Sequence, residues 1–76
     1  MRALVLIETT VGKVIEVSTA LKQLDEVKSA DVVTGPYDVI AVIEAEDLTA
    51  IGHIVTAKIK AISGVSRAIA CTTRNK

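Results

Sequence analysis

Two short runs constrain this chain more than any other feature: Ala3-Leu4-Val5-Leu6-Ile7 and Val39-Ile40-Ala41-Val42-Ile43 carry no polar residue on either alternating side. Successive side chains of a strand point to opposite faces, so a strand of this kind must be covered on both. Between the two runs, residues 11–25 place Val14, Val17, Leu21 and Leu24 at spacings of three and four, with Lys13, Glu16, Lys22 and Gln23 elsewhere on the wheel. That spacing predicts an amphipathic helix. Residues 27–34 read as a second strand, made polar enough for a sheet edge by Lys28, Ser29 and Asp31. Gly35-Pro36 then suits a tight hairpin of the primed type, with positive φ at the glycine and φ already fixed at the proline.

After the second apolar run, Asp47 is placed to cap another helix whose apolar positions are Leu48, Ile51, Val55, Ile59 and Ile62. Gly64 ends that helix, with Lys58 and Lys60 near the negative end of its dipole. Residues 65–73 make the last strand. The order β-α-β-β-α-β predicts an α+β protein with the ferredoxin-like split topology, a four-stranded antiparallel sheet with two helices on one face. The first and third strands are then central, and they are the two without polar faces.

Two helices cover one face of such a sheet. Leu4, Leu6, Ile40 and Val42 fall on one side, and Val5, Ile7, Val39 and Ile43 on the other. Leaving four of these side chains in water forgoes roughly 1.5–3 kcal/mol each, which is comparable to the whole stability of a small domain. Exposed apolar patches of this kind mark interfaces. The expectation is a homodimer whose sheets pack face to face.

The chain has 76 residues, enough for one domain spanning positions 1–76 and no more. Nine Lys or Arg balance nine Asp or Glu. Without a basic excess there is little counterion release to drive binding to nucleic acid, and none is expected directly. The apolar start is too short for a signal peptide or a membrane span, and a single cysteine, Cys71, excludes an internal disulfide. A reducing cytoplasm is the expected compartment. No cofactor or metal is expected.

The hairpin Val33-Thr34-Gly35-Pro36-Tyr37-Asp38 gathers the only aromatic residue, the only proline and an acid beside a glycine. On this topology it resembles the Thr-Gly-x-Tyr-Asp signature of the effector-binding (RAM) domain of the Lrp/AsnC, or feast/famine, regulators. The resemblance extends over nearly the whole chain, through the strand ending Glu8-Thr9, Gly12-Lys13 before the first helix, Glu46-Asp47 before the second, and Ile62-Ser63-Gly64-Val65 before the last strand. It implies an amino acid or similar small effector bound between neighbouring dimers, whose occupancy shifts assembly into rings such as octamers or decamers. Carried over by position, Thr34, Gly35, Tyr37 and Asp38 line that cleft. Amides at Gly35 and Tyr37 can receive a carboxylate, and Asp38 or Tyr37 an ammonium group. Thr72 and Thr73 are added on topology alone. Family members precede this domain with a helix-turn-helix; here a strand begins at residue 2, so the module is expected to stand alone and to touch transcription only by co-assembly with a full-length regulator.

Each of these residues also has a plainer reading. Gly35 and Pro36 form turns whatever the function, Tyr37 can pack beside the hairpin, and Asp38 can bond nearby amides in an Asx turn. His53 falls on a polar stripe with Thr49, Thr56 and Lys60, away from any metal-binding spacing. Cys71 has no identifiable base, and reads as a packed or interface thiol. Glu8 and Glu44, at equivalent ends of the two apolar strands, could form a paired-carboxylate site. The chain is nonetheless expected not to be an enzyme. The alternatives are an ACT-like regulatory binding domain and a small dimeric α+β barrel enzyme, the latter disfavoured because Val, Leu, Ile and Ala face the space where a cavity would lie. Strand aromatics for stacking RNA bases, a Cys-x-x-Cys pair and a phosphate loop are all missing from the sequence.

Overall fold

A computed structural model describes residues 1–72. The elements are β1 (Arg2–Thr9), α1 (Val14–Lys22), β2 (Val27–Val32), β3 (Val39–Glu44), α2 (Leu48–His53), which runs on into a π-helical stretch (Ile54–Ile59), and β4 (Val65–Thr72). The strands form one antiparallel sheet in the order β2-β3-β1-β4, the ferredoxin-like α+β arrangement. β1 and β3 are the inner strands. Neither has a free edge, and the side of each that faces the helices is buried, which accounts for the apolar residues on that side.

The core lies between the helices and one side of the sheet. Ala3, Val5 and Ile7 of β1, Val39, Ala41 and Ile43 of β3, Ala30 of β2 and Ala68 of β4 are buried there. Val17 and Leu21 of α1 and Ile51, Ile54, Val55 and Ile59 of the second helical segment close over them.

Both helices differ from the periodicity reading at their ends. α1 begins at Val14, later than expected, because Gly12 sits at φ +83° and breaks the helical path before it. It ends at Lys22, where Gln23 and Leu24 donate to carbonyls three residues back and tighten the last turn. The second helix starts as expected, with the Asp47 carboxylate accepting the Ala50 amide at 2.8 Å. Its later half widens into i to i+5 bonding, as in Lys60 N–H to Val55 O at 2.9 Å. Ile54, Val55 and Ile59 of this stretch are buried against the core. Leu48, expected in the apolar face, is 61% exposed at the helix start. Thr49, His53, Thr56 and Lys60 form the exposed stripe that the pattern predicted.

Among the described residues no element covers the other side of the sheet. Leu4 pairs across to Val42 and Cys71, and Leu6 to Ile40 and Ile69, so these six residues make one continuous apolar surface across three strands. Arg2 and Glu44 bound it at one end as an ion pair at 2.6 Å. Glu8 opposite Arg67 bounds it at the other, with Ser29 and Asp31 along the β2 edge. Among the described residues no helix is long and apolar enough to cross a membrane.

Candidate functional site

The connection between β2 and β3 spans residues 33–38, wider than the two-residue turn expected at Gly35-Pro36. Its base is closed by the Val33 amide donating to the Asp38 carbonyl at 2.9 Å. With four residues to turn the chain, none needs the left-handed region, and Gly35 lies outside it. A Cβ placed on Gly35 would meet nothing within 4 Å. The fold of a single chain therefore makes no demand for glycine here, and the positive φ expected at this position is corrected.

Thr34, Gly35 and Pro36 stand exposed, while Tyr37 and Asp38 are half-buried. Asp38 is held from three directions. Its amide donates to the Ile7 carbonyl at 2.9 Å, its carbonyl accepts from Val33, and one carboxylate oxygen, Oδ2, accepts the Thr9 amide at 2.8 Å and the Thr9 hydroxyl at 3.3 Å. Thr9 was not singled out from sequence. The only hint was its place at the end of the first strand, and a bond spanning 29 positions leaves no local signal.

Thr72 is not near this hairpin within one chain. It pairs with Ala3, at the far end of β1 from Thr9. Ala3 and Thr9 are six residue steps apart along β1, roughly 20 Å at about 3.3 Å per step. Thr73 lies outside the described residues. Depressions of about 300, 630 and 320 Å³ indent the surface, the largest against Glu44, Asp47, His53 and Lys58, and the hairpin residues line none of the three. Among the described residues, Thr34, Gly35 and Pro36 of the hairpin stand exposed outside these depressions.

The other sequence candidates are dispersed. Glu8 and Glu44 do not pair: β1 and β3 run antiparallel, so Glu44 faces Arg2 while Glu8 sits at the opposite end of β1. The Arg2 guanidinium holds the Glu44 carboxyl below the ordinary carboxylate range, the reverse of what a general acid needs. Lys58, at 2.5 Å from Glu26, does the same there. His53 is exposed, and Cys71 is a free thiol exposed on the uncovered side of the sheet. Among the described residues no three His, Cys, Asp or Glu side chains are grouped to hold a metal ion.

A family model described as the Lrp/AsnC ligand binding domain matches residues 2–71. Among solved structures, hypothetical protein PHS023 from Pyrococcus horikoshii is 31% identical, with a TM-score of 0.87 over 99% of this chain and 90% of its own. AsnC of E. coli is 21% identical with a TM-score of 0.88, over 97% of this chain and 51% of its own. The transcriptional regulator NMB0573 of Neisseria meningitidis, solved as an L-Met complex, is 19% identical with a TM-score of 0.86, over 99% of this chain and 50% of its own. At these lower identities the likeness is one of fold, and the chain spans about half the length of the two regulators. A search of curated proteins gave no match.

Proposed function

Since the chain belongs to the Lrp/AsnC family through its ligand-binding domain, we propose that it senses an amino acid or similar small effector and converts occupancy into assembly. The sheets of two copies pack through the surface built on Leu4, Leu6, Ile40, Val42 and Ile69, giving a homodimer. Dimers then join into rings, octameric or decameric, with effector held in the clefts between them. Thr34, Gly35, Tyr37 and Asp38 come from one protomer, and Thr72 and Thr73 from another.

The observation that carries this reading is the hairpin's position. Thr34, Gly35 and Pro36 stand exposed and Tyr37 is half-buried, outside the depressions formed by the described residues, and Thr72 lies at the far end of the sheet. A site built from both sets of residues needs more than one copy. Backbone amides at Gly35 and Tyr37 suit a carboxylate. Regulation, rather than catalysis, fits carboxylates that are already neutralised by Arg2 and Lys58. A free exposed thiol fits a reducing cytoplasm. The module acts on transcription by co-assembling with a full-length regulator of the same family.

Native mass spectrometry with and without each free amino acid, L-methionine included, tests the reading. The expected result is an even-numbered assembly above the dimer whose stoichiometry shifts with particular amino acids. A species indifferent to all of them would refute sensing.

A further inference from the structure

The reading above gives Asp38 a place in the effector cleft, and the structure assigns it a different task there. We propose that Asp38 is a positioning residue, whose carboxylate clamps the β1–α1 connection against the signature hairpin, and is not the charge that holds the effector. The inference rests on the proposed effector site and changes the role of one member.

The Asp38 Oδ2 atom is already occupied within the chain. It accepts the Thr9 amide at 2.8 Å and the Thr9 hydroxyl at 3.3 Å, both in a half-buried setting. A carboxylate oxygen that receives two donors has its lone pairs largely engaged. Thr9 also lies where the pairing of β1 with β4 loses register, between Glu8 and Thr9. Thr9 keeps Val65 as its neighbour on β4, but on the β3 flank the ladder stops at Ile7 opposite Val39, two residues short of Thr9, and there the side chain of Asp38 supplies the acceptor for the Thr9 amide.

The next residues carry the effect outward. The Thr10 amide donates to the Gly64 carbonyl at 2.8 Å, and the Lys13 amide to the Thr10 carbonyl at 3.1 Å. Gly64, at φ +100°, presses so closely on α1 that a Cβ would come within 2.9 Å of the Lys13 Cβ. Residues 10–13 are therefore pinned on one flank by the turn before β4 and on the other, through Thr9, by Asp38. Three connections at one end of the sheet become a single body. Removing the clamp frees the connection to move relative to Thr34, Gly35 and Tyr37, and a site whose walls move binds more weakly.

The two roles separate on one substitution. Asp38→Asn keeps an oxygen that can accept from Thr9 and removes the charge; Asp38→Ala removes both. Two measurements are made on each full-length variant. Amide hydrogen exchange without ligand follows residues 9–13, and isothermal titration measures the dissociation constant for whichever free amino acid the wild-type chain binds most tightly. The clamp predicts exchange in Asp38→Asn within about threefold of wild type and at least tenfold faster in Asp38→Ala, with affinity following the same order. Thr9→Val, which keeps the amide donor, should resemble Asp38→Asn. Unchanged exchange in Asp38→Ala would overturn the clamp. So would an Asp38→Asn variant with intact exchange that has lost binding as fully as Asp38→Ala, because charge would then be the operative property. If the wild-type chain binds no amino acid, the sensing reading fails, and the exchange experiment still decides the clamp.

Discussion

Replacing Leu4 with alanine should weaken self-association far more than it weakens the fold. Leu4 is 45% exposed in the single chain, at the centre of the uncovered face between Val42 and Cys71. Full burial of a leucine is worth about 1.5–3 kcal/mol, so pairing the sheets would recover roughly half of that, about 0.7–1.5 kcal/mol per chain. Two copies contribute to each dimer, giving about 1.5–3 kcal/mol in all. At about 1.4 kcal/mol per decade, the dimer dissociation constant should rise roughly 10- to 150-fold. Sedimentation equilibrium across a dilution series reads this directly. Leu48→Ala is the control, because Leu48 is more exposed still but lies on the helical side. A Leu4→Ala chain that associates as tightly as wild type, or a Leu48 variant equally weakened, would refute the pairing of this face.

Gly35→Ala should leave the thermal midpoint unchanged, because the residue is outside the left-handed region and has open space around it, yet should blunt the response to effector; a large loss of stability in a thermal melt would contradict this. Gly64→Ala should destabilise by about 1–3 kcal/mol in urea titration, since alanine there meets both an unfavourable φ of +100° and the Lys13 Cβ. Ile7→Ala, fully buried in the central strand, should cost about 2–5 kcal/mol by the same assay. Glu26 has its pKa lowered in the folded chain by the Lys58 hydrogen bond, so its contribution is present above the ordinary value of 4.5 and fades as pH falls through the lower folded value. Lys58→Met should therefore lower stability slightly near neutrality, where this surface pair makes its contribution, and leave stability unchanged well below the folded pKa, so that part of the acid limb of a stability-against-pH profile flattens.

Much of the architecture could be read from apolar spacing because it is a question of faces. Runs at residues 3–7 and 39–43 with no polar side can only be inner strands, and Lys28, Ser29 and Asp31 can only sit at an edge. The signature hairpin was legible in the same way, from unusual residue types gathered in six positions. What escaped depends on long-range geometry. Antiparallel pairing sends Glu8 and Glu44 to opposite ends of the sheet, although in sequence they look equivalent. The bond from Asp38 to Thr9 links positions with no shared pattern, and the width of the hairpin is set by where the β2–β3 ladder stops, at Val32 and Val39. The π-helical turn escaped because the apolar spacing of Ile51, Ile54, Val55 and Ile59 is the same stripe that an ordinary α-helix presents.

The central claim, that the uncovered side of the sheet is closed by a second copy, is tested most directly by the thiol that lies on it. Cys71 sits opposite Leu4 and is exposed in the single chain. Its rate of reaction with a thiol reagent should be strongly suppressed at high protein concentration and should rise on dilution through the dimer dissociation constant, in step with the loss of mass. A rate that is fast and independent of concentration would mean that this face stays open to water, and the proposed pairing would be wrong.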